Sequence, residues 1–281
     1  MSDIALYTAL SQGMFTQQKL LVSMVKLPSP AVPPALTRGD IDFSNQPSSI
    51  LAGASRGFPF KVVLLMWKES PWTIVGKPEL KSLADLKGKT LGTTAAGSSP
   101  PLYLQAAMKK AGMDSGKDLK IVTTRGTEDS YAFLIGGQVD AAILSPPFDA
   151  QAQTKGFKEV AFIGDALQIP YSGLGTSSAY IAAHRPIVVR MIKGLLDARD
   201  WIKAHPAETA AIASKYIEVP PEIARASVDK MLPLLTETGE GPIEGIKEAL
   251  DTQAQFSNEP VNVAPEQTVD YGPLHEALGK A

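Results

Sequence analysis

The chain has 281 residues, 44% hydrophobic and 20% charged, with a formal net charge of −2; this is enough for two lobes with a core each, and it gives no basic footprint for nucleic acid or a membrane surface. There is no cysteine, so disulfides and thiolate chemistry are excluded, and His184, His205 and His275 lie too far apart for metal-ligand spacing or an obvious Ser-His-Asp centre. No apolar run approaches the ~18 residues of a membrane span, and Met1-Ser2-Asp3 lacks the basic start of a signal peptide.

From the N-terminus, Ile4–Phe15 reads as a helix with Leu6 and Leu10 at helical spacing, ending near Gly13. Leu20–Leu27 reads as a strand, and Pro28–Pro34 as a turn into a short helix that Gly39 stops. A short strand, Ile41–Phe43, leads through the turn Asn45–Ser49 into an Ala-rich helix. Gly57–Phe58 then precedes Lys61–Trp67, a continuous apolar run with the pattern of a strand buried on both faces. Glu69-Ser70-Pro71 breaks it, and Trp72–Val75 resumes as strand. Ser82-Leu83-Ala84-Asp85 starts one helical turn in the manner of a capping box, with Asp in place of Glu. Lys89–Thr93 is a strand, Gly97-Ser98-Ser99-Pro100 opens a helix to Ala111, and Leu119–Thr124 is the next strand. Thr127, Glu128 and Asp129 cap the helix that follows.

Leu134–Val160 then echoes Leu36–Val63. Each stretch has a helix-closing glycine (Gly39, Gly137) and a short strand with an aspartate at its start (Asp42, Asp140). Each continues through a Ser/Pro turn into a helix and a glycine–phenylalanine pair (Gly57–Phe58, Gly156–Phe157). Strands alternating with helices in this way give an α/β fold with doubly wound, largely parallel sheets, and the echo makes it two similar lobes. Beyond Ile169, Ser178–Ala182 reads as a strand. Pro186–Ala204, Pro206–Tyr216, Pro220–Met231 and Pro242–Gln255 then read as helices opened by proline. Their amphipathic faces need a surface, so the C-terminal third is expected to cover one lobe.

Five stretches, ALYTALSQGMF, ALTRGDIDFSNQPSSILAGASRGFPFKVV, KSLADLKGKTLG, FLIGGQVDAAILSPP and RDWIKAHPAETA, carry a resemblance. They resemble the substrate-binding proteins of ABC importers in the SsuA/THI5-like (NMT1-like) group, which serves nitrate, sulfonates, taurine and thiamine precursors. The resemblance implies a two-lobe periplasmic-binding-protein-like fold of type II, with a small solute held in the cleft and delivered to ABC permease subunits. It places residues 1–73 and 176–281 in lobe I, with the extra C-terminal helices, and residues 74–175 in lobe II. It implies a periplasmic or extracytoplasmic monomer with no cofactor, metal or membrane insertion. Family members carry a strand before the first helix, and the chain begins at or within that helix.

In open α/β sheets ligands sit beyond the carboxyl ends of strands, where helix starts supply amide donors. The turns in question are Ser44–Ser49, Ala96–Ser99, Arg125–Thr127 and Ser145–Phe148, which also have ordinary capping roles. Candidate ligand residues are therefore Ser44, Asn45, Ser48, Gly97, Ser98, Ser99, Arg125, Ser145 and Phe148. Trp67, Trp72 and Tyr171 join them as apolar walls, with hinge packing as the alternative role of the two tryptophans. With Ser99 and Ser145 as helix caps, Pro100–Pro101 and Pro146–Pro147 each delete two amide donors. Nitrate or sulfate is thus disfavoured against a ligand with an apolar or aromatic body. Arg125 is the candidate partner of a carboxylate or sulfonate. An enzyme on the same scaffold, of thiamine-precursor or menaquinone-pathway type, is the alternative. The thiamine-precursor synthases carry a cysteine-rich motif that this chain lacks. A transcription regulator would need a helix-turn-helix with a basic face, and neither terminus offers one.

Overall fold

The computed structural model describes residues 1–95, 98–167, 169–257 and 261–280. In chain order the elements are α1 (Ile4–Ser11), α2 (Met14–Gln17), α3 (Val32–Arg38), α4 (Pro47–Ser55), β1 (Phe60–Leu65), β2 (Thr73–Gly76), β3 (Thr90–Thr94) and α5 (Ser99–Lys110). They continue with α6 (Ser115–Asp118), β4 (Lys120–Thr124), α7 (Thr127–Ile135), β5 (Ala141–Leu144), α8 (Phe148–Thr154), β6 (Lys158–Phe162) and β7 (Gly173–Ser177). The rest is helical: α9 (Ser178–Ala204), α10 (Pro206–Ile217), α11 (Pro221–Met231), α12 (Ile243–Ser257) and α13 (Gly272–Ala277). No described helix is long and apolar enough to cross a membrane.

The chain divides into two compact units, one of Met1–Glu69, Gln168–Glu218 and Leu232–Ala281, the other of Ser70–Leu167 and Val219–Met231. The α/β architecture expected from the alternation is present. Unit 2 has a five-stranded sheet of order β4-β3-β5-β2-β6. β3 is parallel to β4 and β5, while β2 runs antiparallel to both β5 and β6. Its core joins Val75, Leu134, Val139, Ala142, Leu144 and Ala152, with Tyr131, Phe148 and Phe157 packed against it. Unit 1 departs from the expected parallel sheet. Among the described residues its sheet is two-stranded, pairing β1 with β7 antiparallel, flanked by single bridges at Ser44–Gly175 and Val62–Val269. Around it pack α3, α4, α9 and α13, and α1 lies against α9 and α10; α9 buries Val188, Met191, Ile192, Leu195 and Ile202, the face read from the sequence.

Three further expectations are corrected. Leu20–Leu27 is not a strand: residues 21–27 make no backbone–backbone hydrogen bond among the described residues, and Leu21 is 100% exposed. Ile41–Phe43 is reduced to the bridge at Ser44. Ser178–Ala182 is helical, because the Ser177 hydroxyl accepts from Tyr180 N at 3.1 Å and caps α9. The C-terminal helices also do not all join unit 1. The α11 face of Ile223, Ala224, Ser227, Val228 and Met231 is buried, and the helix packs on α8 in unit 2.

Candidate functional site

In unit 2, β4, β3 and β5 lie side by side and run parallel, so their carboxyl ends share one sheet edge. Each strand end leads into a helix start, those of α5, α7 and α8. After β3, Thr94 Oγ1 and Ser98 Oγ lie 2.6 Å apart, and Ser98 Oγ also donates to Ala95 O at 2.6 Å. Ser98, not Ser99, is the N-cap of α5, so Ser99 occupies the first helical position and Pro100 and Pro101 the next two. The first turn still loses two donors, one position later than the sequence suggests. Gly97 lies outside the described residues, as does Ala96.

After β4, Gly126 precedes the first helical residue, Thr127. Thr124 Oγ1 and Ser130 Oγ approach to 2.6 Å beneath the turn. The Arg125 side chain is 93% exposed, its Nε donating to Asp129 Oδ2 at 2.7 Å and its Nη2 to Oδ1 at 3.3 Å. That hydrogen bond and the Arg125 charge lower the Asp129 pKa. After β5, Ser145 is buried, and a cis peptide joins Pro146 to Pro147. Both prolines precede α8 instead of filling its first two positions as expected. The amides of Phe148 and Asp149 fold back on Ser145 O at 2.9 and 3.4 Å. Phe148 is half-buried with its ring centre 5.6 Å from that of Tyr131.

The opposite edge of the sheet is structural. Asp140, just before β5, accepts from Lys77 Nζ at 2.6 Å, Thr90 N at 3.0 Å and Thr90 Oγ1 at 2.7 Å. The Lys77 hydrogen bond, then those from Thr90, hold its carboxyl well below the usual carboxylate range.

In unit 1 the corresponding turn is Ser44–Ser48, leading into α4. Ser44 and Gly175 exchange backbone hydrogen bonds at 2.9 and 2.8 Å. Asn45 Nδ2 donates to Asp3 Oδ1, and the Asn45 carbonyl accepts from Ser172 Oγ at 3.4 Å. Gln46 caps nothing with its side chain. Its Oε1 accepts from Ser29 at 2.7 Å and Ser49 at 3.2 Å, while its Nε2 donates to Leu27 O at 3.2 Å. Pro47 fills the first helical position, and Ser48 is half-buried beside it. A groove of about 450 Å³ runs along this turn, lined by Leu20–Val25, Asp40–Gln46, Leu174, Tyr180 and Met191. Gln46 and Tyr180 were not singled out from the sequence. Burial and then the Asp42 charge raise the Tyr180 hydroxyl pKa, and its ring meets Phe43 edge-on at 5.2 Å. Only adjacency to a strand end could have pointed to Gln46, and nothing local points to Tyr180.

Trp67 is 1% exposed in unit 1 and Trp72 8% in unit 2, both among the buried apolar residues of their units. Tyr171 is half-buried in unit 1. No group of His, Cys, Asp or Glu among the described residues could hold a metal ion.

A protein of Haemophilus influenzae named for thiamine biosynthesis is 32% identical over 144 residues, covering 50% of this chain and 44% of that protein. A binding protein by name, YtlA of Bacillus subtilis, is 21% identical over 149 residues, covering 52% of this chain and 45% of its own length. The chain thus matches less than half the length of these curated relatives. Among solved structures, the periplasmic aliphatic sulphonate binding protein SsuA from Escherichia coli superposes with a TM-score of 0.80 at 20% identity, covering 95% of this chain and 89% of that one. The periplasmic nitrate-binding protein NrtA from Synechocystis gives 0.77 at 12% identity, covering 99% and 86%. These likenesses show the periplasmic-binding-protein fold. The profile of the NMT1/THI5-like family spans residues 2–209, most of the chain, and the chain belongs to that family.

Proposed function

We propose that the chain is the solute-binding component of an ABC importer, working outside the cytoplasmic membrane and delivering a small organic solute to permease subunits. The observation that carries this reading is the edge of unit 2 where adjacent parallel strands end in the helix starts of α5, α7 and α8. That edge offers hydroxyls, first-turn amides and the Phe148 ring, groups that bind and orient rather than cleave. Ser98, Ser99, Ser145 and Phe148 in unit 2 are the contacts we assign to the solute. Arg125 would meet an acidic group while its Nε and Nη2 are engaged by Asp129, or by exchanging that partner. The missing amides at Pro100 and Pro101 favour a sulfonate, carboxylate or pyrimidine with an apolar body over nitrate or sulfate.

The test is a melting-shift screen of alkanesulfonates, aromatic carboxylates, pyrimidines and nitrate. Ligand at about a hundred times its Kd stabilises by about 2.7 kcal/mol through mass action. A shift with an organic member, lost in Phe148→Ala, is the expected result. No shift with any member, or a shift with nitrate alone, would overturn the assignment.

A further inference from the structure

We propose that Lys230, on α11, is a positioning residue for the Ser145–Phe148 turn, an inference that rests on the solute-binding role assigned to that turn. The turn is anchored at both ends, and one ammonium reaches both anchors. At the downstream end, Asp149 is the second residue of α8 and 1% exposed, and Lys230 Nζ meets its Oδ2 at 2.7 Å. At the upstream end, Leu144 is the β5 residue that pairs across the sheet with Thr73, and Lys230 Nζ donates to Thr73 Oγ1 at 2.6 Å. The same nitrogen lies 3.3 Å from Glu159 Oε2 on β6 and 5.9 Å from the centre of the Phe162 ring. Phe162 is itself the other cross-strand neighbour of Thr73. Lys230 therefore ties a helix start and two strands together beside the turn that carries Ser145 and Phe148, two of the residues assigned to the solute.

The chemistry gives this pin its leverage. A buried carboxylate deprived of the one cation that meets it among the described residues is left uncompensated, and the helix start that carries it must rearrange. Asp149 also accepts from the amide of Ala150 at 2.9 Å, which belongs to its own helix and cannot hold α8 to the sheet. The cation comes from a helix that is separated in sequence from the rest of unit 2 and returns to it only over Val219–Met231. Other charges on α11 do not compete for the task. Arg225 and Asp229 pair with each other at 2.8 Å on its exposed face, and Glu222 is exposed at its start.

Amide hydrogen exchange on the full chain without ligand tests the pin, because the Phe148 and Asp149 amides are the ones folded onto Ser145 O. Lys230→Met should speed their exchange about tenfold while the amides of α5 and α7 keep native protection. Lys230→Arg should restore protection. The double variant Lys230→Met with Asp149→Asn removes both charges and so avoids a buried unpaired carboxylate. It should still exchange faster than the native chain at Phe148 and Asp149. Native protection there in the double variant, or a rise spread evenly over unit 2, would overturn the proposal. The solute screen has no bearing on this outcome, so a failure of the binding role and a failure of the pin are told apart. If an organic solute is found, Lys230→Met should weaken it about tenfold and Lys230→Arg should not.

Discussion

Leu36–Leu65 and Leu134–Phe162 follow one local plan and reach different tertiary ends. In both, a helix closes on a left-handed glycine, Gly39 at φ 75° and Gly137 at φ 72°. The residue after each donates back five positions, Asp40 N to Ala35 O and Gln138 N to Phe133 O, both at 2.9 Å. In both, the second helix closes the same way, Phe58 N to Gly53 O at 3.1 Å and Phe157 N to Ala152 O at 3.2 Å. Between these closures the copies part. Asp140 is followed by Ala-Ala-Ile-Leu, which forms β5 with a partner strand on each side. Asp42 is followed by Phe43 and then the polar Ser-Asn-Gln, which makes one bridge. Local signals set the helix ends, while the number of apolar residues between them, and what lies alongside, decide whether a strand exists.

The largest contrast should come from the strand itself. Ile143 is 1% exposed in the centre of unit 2, so Ile143→Ala should cost about 3 kcal/mol. Ile41 is half-buried and outside any strand, and Ile41→Ala should cost under about 1 kcal/mol. Urea unfolding of both variants checks this. Similar costs would mean that the first copy is held by its side chains as firmly as the second.

The same division explains what could be read from the chain. Glycine stops, proline starts and the βα alternation are local, and most helices and unit 2 strands fall close to where these signals put them. Sheet membership is not local. Leu20–Leu27 has the composition of a strand, yet Leu21, Met24 and Val25 are 100, 41 and 66% exposed because no neighbouring strand covers them. Such an apolar, unpaired stretch is a liability in solution. Ser178–Ala182 has an apolar pattern as well, but the Ser177 hydroxyl at the helix start decides otherwise. α11 joins unit 2 through contacts with α8, Lys230 with Asp149 among them, between residues far apart in sequence. At the candidate site the strand-end serines were legible from position alone. The Arg125–Asp129 pairing, the burial of Trp67 and the cis Pro146–Pro147 turn were not, since each depends on surroundings that a pattern does not encode.

The paired aspartates give the next contrast. Asp140 accepts three hydrogen bonds from Lys77 and Thr90, so Asp140→Asn should cost about 2 kcal/mol. Asp42 is exposed, and it is the main-chain oxygen that receives Thr176 Oγ1 at 2.6 Å, so Asp42→Asn should cost under about 1 kcal/mol. The pH dependence follows from the sign of the shift. The folded-state pKa of Asp140 is depressed, so its contribution is complete above the unfolded value, about 3.9. It is lost as pH falls from there through the folded value. Asp140→Asn should therefore flatten the acid limb of stability below about pH 4. An unchanged limb in Asp140→Asn would show that the Lys77 and Thr90 contacts do not persist in solution.

The smallest difference is expected at the glycines, where the two copies should agree. A Cβ on Gly39 or Gly137 would meet nothing within 4 Å, so any cost of Gly→Ala comes from the backbone and not from crowding. Holding alanine in the left-handed region costs about 1–2 kcal/mol, partly offset by the lower chain entropy of the unfolded state. Gly39→Ala and Gly137→Ala should thus each cost about 1 kcal/mol. Asparagine tolerates that region better, so Gly→Asn should cost less at both sites. The measurement that matters is the difference between the copies. If Gly137→Ala costs several times more than Gly39→Ala, the strand that follows Gly137 depends on that closure. Helix end and sheet would then be coupled in the second copy, which the matched hydrogen bonds alone do not require.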